Sequence, residues 1–138
     1  MRTLSDLVGT HWKGTAELWL DPLGNDGLRS DCTLSVEGTL VRYTWSHEGK
    51  PHEGRVTLHS GGAEFTDTWH QPEPTQCLPV PAALGLFQVQ YDYGPAMDWH
   101  WRIGLSLRPT GELVVQMTNI TPWGEEGRAV RMICERVA

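Results

Sequence analysis

The chain has 138 residues, with 17 acidic against 11 basic side chains and a formal net charge of −6. That length suits one domain able to bury about two-thirds of its chain surface, and the acidic balance excludes the basic field that a nucleic acid or an anionic membrane surface requires. No apolar run approaches the roughly 20 residues of a spanning helix, and the opening MRTLSDLVGTHW lacks the apolar core of a signal peptide.

In chain order, Thr3 or Ser5 caps a single helical turn that ends at Gly9. The next runs alternate with period two and are therefore read as strands: KGTAELWL, DCTLSVEG, LVRYTWSH, HEGRVTLH and AEFTDTWH. Turn-rich punctuation separates them, in DPLGNDG, at Glu37-Gly38, in EGKP and at Gly61-Gly62. QPEPTQCLPVPAA holds four prolines and cannot be a central strand, so residues Gln71 to Ala83 are expected to form a long loop, with a helical turn starting near Pro81. Strands resume in LGLFQVQYDY, MDWHWRIGLSL, ELVVQMTNI and GRAVRMICERV. Short strands joined by short turns, with little helix, predict an all-β, up-and-down antiparallel barrel or a sandwich.

Alternation also predicts the faces. Trp99, Trp101, Ile103, Leu105 and Leu107 share one side; so do Val41, Tyr43 and Trp45, and likewise Phe87, Val89 and Tyr91. Four polar residues fall on faces that are otherwise apolar: Glu17 beside Thr15 and Trp19, Asp67 between Phe65 and Trp69, Asn119 after Met117, and Arg136 after Cys134. A buried charge needs a partner or a wet cavity. An interior with seven Trp available and a few convergent polar groups is the pattern of a small-ligand pocket.

LVGTHWKGTAEL, EGKPHEG, FTDTWHQP, MTNITPWGEEGRAV and the closing Arg resemble an uncharacterised bacterial family of lipocalin-like proteins of the calycin superfamily. The resemblance implies a calycin barrel of about ten antiparallel strands, closed at one end by a short N-terminal helix, with small hydrophobic ligands, fatty acids or haem bound inside in relatives. It also implies that Trp12 packs on Arg136 or Arg131 in a cation–π contact at the barrel floor. The haem-binding relatives, the nitrobindins, carry a ligating His on the last strand. No His follows His100 here, a Cys134 thiolate could in principle take its place, and no cofactor is expected.

The His-Glu pairs of SHEGKPHEG have zinc-ligand chemistry. On paired strands His47 and His52 would stand about 5 Å apart at Cβ. The stretch is a turn and not the helix that an HExxH site needs, so Glu48, Glu53 and both His are expected to face water, with no metal. His70 is expected to point away from Asp67. The three cysteines have no CxxC spacing and fit reduced thiols in a cytoplasmic protein, with Cys77 exposed on the loop. No Ser-His-Asp set, P-loop or dinucleotide fingerprint is present, and no catalytic residues are assigned.

The leading expectation is a non-enzymatic protein that binds a small hydrophobic molecule. The barrel interior supplies Glu17, Trp19, Tyr43, Trp45, Asp67, Trp69, Tyr91, Trp99, Trp101, Asn119 and Arg136. The loop from Gln71 to Ala83 would act as the lid. The alternatives are an isomerase- or hydrolase-type enzyme with Asp67 as base, and a homodimer working through an exposed strand or the barrel mouth.

Overall fold

The computed structural model describes residues 3–81 and 85–137. Ten strands run in chain order: β1 (His11–Trp19), β2 (Gly27–Glu37), β3 (Leu40–His47), β4 (Lys50–His59), β5 (Gly62–Asp67), β6 (Gln71–Pro79), β7 (Phe87–Tyr93), β8 (Trp99–Leu107), β9 (Leu113–Ile120) and β10 (Glu126–Val137). Each pairs antiparallel with its chain neighbours, and β1 pairs with β10, so the sheet closes into an up-and-down barrel. No helix among the described residues is long and apolar enough to cross a membrane.

Short turns enforce the meander. The β3–β4 hairpin turns on Glu48 and Gly49, both at positive φ (51° and 75°), the two-residue geometry whose twist matches antiparallel strands. The register therefore sets His47 opposite Lys50 and Trp45 opposite His52. His47 and His52 are not cross-strand partners, contrary to the four-residue turn expected from EGKP.

A 3-10 turn over Leu4–Leu7 closes one end, which we call the floor. The Thr3 N–H donates to the Asp6 carboxylate (2.7 Å), and Gly9 and Val36 tie the segment to β2 through Gly9 N–H to Val36 O (2.8 Å) and Val36 N–H to Thr10 O (3.1 Å). Leu4 and Leu7 are buried, and burial of each stabilises the closure by about 1.5–3 kcal/mol. Trp12 is also buried here and faces Arg136 in the β1–β10 register. The cation–π contact does not form: the Trp12 indole donates to Thr10 Oγ1 (2.8 Å) and Arg136 is exposed at the strand end. Among the described residues, the guanidinium groups stacked on an indole are Arg128 and Arg131, both on Trp19.

The proline-rich segment departs from expectation. Gln71–Pro79 is a strand, paired with β5 through Ala63↔Cys77, Glu64↔Gln76 and Phe65↔Thr75, and it is not a lid. Only Leu78↔Gln90 and Pro79↔Val89 join it to β7, so along 71–76 one side of the strand has no ladder for Pro72 or Pro74 to interrupt. Cys77 consequently points inward and is 1% exposed, not displayed on a loop. The helical turn expected near Pro81 lies outside the described residues.

Candidate ligand cavity

The barrel interior is packed over most of its height by Tyr43, Phe65, Ile103, Leu105, Met117 and Met132 among others, all fully buried. At the end opposite the 3-10 turn it opens into a cavity of about 510 Å³. Its wall comes from strand ends and the loops beside them: Trp19 of β1, Tyr93 of β7, Trp99 and Trp101 of β8, Asn119 of β9, Ala129 of β10, and Trp69 and His70 from the β5–β6 turn.

Rings converge there because successive inward positions of neighbouring strands carry aromatics. Tyr91↔Trp101 and Tyr93↔Trp99 are register pairs. Phe65, Tyr91, Tyr93, Trp99 and Trp123 form a continuous run, with centroids 5.9, 6.1, 6.2 and 6.0 Å apart, from the core to the rim. A second run reaches the same place through Trp45, His70 and Trp101, at 5.7 and 4.7 Å.

Polar groups are few and mostly committed. Asn119 accepts a hydrogen bond from the Tyr93 hydroxyl and donates to the Pro22 carbonyl (3.3 Å), which fastens the β1–β2 loop, residues 20–26, to the inner wall. Leu20, Asp21 and Pro22 of that loop line the cavity, so it occupies the place expected for residues 71–83. The loop is shaped internally by the Asp21 carboxylate, which accepts from the Asn25 and Asp26 N–H groups (2.7 Å each); these bonds lower the Asp21 pKa. It settles against Gly127, where an added Cβ would come within 2.0 Å of the Pro22 carbonyl oxygen.

Among the described residues, two cavity nitrogens have no partner: His70 Nε2 and Trp101 Nε1, both buried. The sequence pattern turned His70 outward. In the structure β5 ends at Asp67 and the chain turns, so alternation stops one residue before Trp69 and His70 are placed. The Asp67 carboxylate accepts from the N–H groups of Trp69 (2.7 Å) and His70 (2.9 Å), and this local turn swings the imidazole in and the indole out. Burial lowers the His70 pKa to about 4, against the opposing pull of Asp67, so the ring is neutral at pH 7.

Of the eleven residues expected inside, Trp19, Trp69, Trp99, Trp101 and Asn119 line the cavity. Trp69 does so from the rim, 42% exposed, with His47 and His52 packed edge-to-face on it at 4.6 and 5.2 Å. The hairpin His residues are therefore half-buried and not solvated. Tyr43, Trp45, Asp67 and Tyr91 are inside but beneath the cavity, in the core. Asp67 is 1% exposed and accepts from the Tyr43 hydroxyl in addition to the two backbone N–H groups.

Glu17 and Arg136 are corrections. Glu17 faces outward and pairs with Arg131 at 2.8 Å, which lowers its pKa. The consecutive Leu18 and Trp19 make the parity of β1 ambiguous, and the set Trp12, Ala16, Leu18 is the one that turns inward. Trp19 nevertheless reaches the cavity rim, its ring held by the Arg128 guanidinium at 4.5 Å. Arg136 lies at the floor end, away from the cavity.

Leu18, His70, Tyr93 and Ala129 are strand and turn residues of the wall that the face assignment missed. The only signal for His70 was its position after an Asp that ends a strand. Cys134 is buried against Cys32, Sγ to Sγ 3.4 Å, and does not line the cavity, so the thiolate considered as a haem ligand does not fit that role. Among the described residues, no group of three or more His, Cys, Asp or Glu is arranged to hold a metal ion. No protein-family model matches the chain, and no curated protein is similar enough to count as a relative.

Proposed function

We propose that the protein binds a small, largely hydrophobic molecule in the mouth of the barrel, without chemistry, in the manner of the lipocalin-like proteins its motifs resemble. The observation that carries this reading is the aromatic cavity of about 510 Å³, within the size range of small-molecule sites and built from rigid strand ends. The partnerless Trp101 and His70 nitrogens in its wall supply an N–H donor and a neutral imidazole for one polar group of the ligand. The role of Asp67 in this account is to hold the turn that presents His70. Its three hydrogen bonds and its place below the cavity give no support to its use as a base.

The experiment is a titration followed by intrinsic tryptophan emission, with hydrophobic probes, fatty acids and haem tried in turn. Saturable quenching or a spectral shift with at least one class is expected. Absence of any response across all of them contradicts the reading.

A further inference from the structure

The up-and-down topology gathers five loops around the cavity mouth: residues 20–26, 48–49, 68–70, 94–98 and 121–125. Their ionisable residues, His70 aside, are Asp21, Asp26, Glu48, Asp98 and Glu125, and they contain no Lys or Arg. Inside, the cavity wall also lacks Lys and Arg, Asp21 is its one charged residue, and His70 is neutral. Tyr93 lies 6.2 Å from Trp99 at 45° and 6.5 Å from Trp101 at 78°, so three ring faces of different inclination form a corner. Trp19, elsewhere in the wall, already takes the Arg128 guanidinium 4.5 Å from its centroid, which leaves the Tyr93, Trp99 and Trp101 rings for a ligand.

We infer that the cavity selects an organic cation, an ammonium with alkyl or aryl substituents, over neutral and anionic molecules of the same size. This rests on the cavity being a ligand site, as proposed above, and narrows what it accepts. An aromatic face carries negative potential, and an ammonium against two or three such faces is stabilised while a carboxylate is repelled. The apolar substituents fill the space between the rings, so the ligand remains largely hydrophobic, and a separate acceptor on those substituents, an ether or hydroxyl oxygen, takes the Trp101 N–H, which the ammonium itself cannot. The five loop carboxylates, on a chain of net charge −6, add a field that draws cations to the mouth and repels fatty acids.

The test uses three probes with one aromatic body: benzyltrimethylammonium, 4-phenyl-2-butanone and 3-phenylpropanoate. Binding is read from the indole N–H signals of the uniformly labelled protein by NMR. The ammonium is expected to bind at least about tenfold more tightly than the carboxylate, with the ketone between them. The double substitution Asp98→Asn, Glu125→Gln is expected to weaken the ammonium several-fold and leave the ketone unchanged, and added salt to act in the same direction. Equal binding of all three, or preference for the ketone or the carboxylate, overturns the cation inference while leaving the ligand site standing. Failure of every probe to shift any cavity indole removes the site itself, and this inference with it.

Discussion

Tyr43 reaches Asp67 across Gly54. The three residues are register partners on β3, β4 and β5, and the phenol lies over the glycine so that its hydroxyl donates to the Asp67 carboxylate on the far strand. The missing side chain on the middle strand is what lets the ring cross. Asp67 in turn accepts from the N–H groups of Trp69 and His70, so one bridge under the cavity fixes the turn that shapes part of its wall. Burial and the neighbouring carboxylate push the Tyr43 pKa well above that of a free phenol, in the direction that keeps the hydroxyl a donor.

Tyr43→Phe removes one of the three partners of a buried carboxylate and is expected to cost about 2–3 kcal/mol. Gly54→Ala discriminates more sharply. In a plain strand that change gains about 0.5–1 kcal/mol, whereas here the new Cβ would stand 2.2 Å from the Tyr43 oxygen and must displace the phenol. Urea denaturation is expected to give a loss of about 2 kcal/mol or more, and a gain would contradict the bridge.

His70 makes stability depend on pH in a stated direction. Its pKa is about 4 in the folded protein against 6.5 for the free side chain, so the unfolded chain takes up the proton first as pH falls. The stabilisation is complete above about pH 6.5 and is lost progressively down to about pH 4, by on the order of 3 kcal/mol. Comparison of wild type with His70→Gln across that range isolates the effect. The variant should show a shallower decline, and parallel curves would mean that the imidazole is solvated.

Cys32, Cys77 and Cys134 are all buried, and burial pushes the Cys77 thiol up to about 12. A thiol reagent such as 5,5′-dithiobis(2-nitrobenzoate) at pH 8 should label none of them in the folded protein within minutes and all three after denaturation. Rapid labelling of Cys77 in the folded state, assigned by peptide mapping, would place it back on an exposed loop.

Glu17 pairs with Arg131 on the outer surface, where such a bridge contributes at most about 1 kcal/mol. Glu17→Gln is therefore expected to change stability by less than that and to leave ligand affinity unaltered by calorimetry. A fall in affinity would return Glu17 to the interior.

Much of the barrel was legible because period-two alternation is a local property. The inward sets through Tyr43, Tyr91, Trp101 and Asn119 follow from counting along each strand, and short strands joined by tight turns narrowed the architecture to an antiparallel barrel or a sandwich, between which closure through β1 and β10 decides. Three kinds of information were not local. The parity of β1 was decided by its neighbours, since Leu18 and Trp19 are equally apolar. Gln71–Pro79 became a strand because its β7 side is largely unpaired, which nothing in the segment itself reveals. His70 turned inward because the Asp67 carboxylate, held from below by Tyr43, captures two backbone N–H groups after alternation has ended. The candidate site lies where strands stop, and that is where the pattern that reads strands also stops.

Uptake of a small, largely hydrophobic molecule by the mouth cavity, as proposed above, is decided by one titration. N-phenyl-1-naphthylamine, whose absorption overlaps indole emission, is added to wild type and to Ala129→Phe, a substitution that fills the cavity from its β10 wall. Saturable energy transfer from tryptophan at one probe per chain is expected in the wild type. Little or none is expected in Ala129→Phe at matched circular dichroism. No saturable transfer in the wild type, or equal transfer in the filled variant, would contradict that uptake.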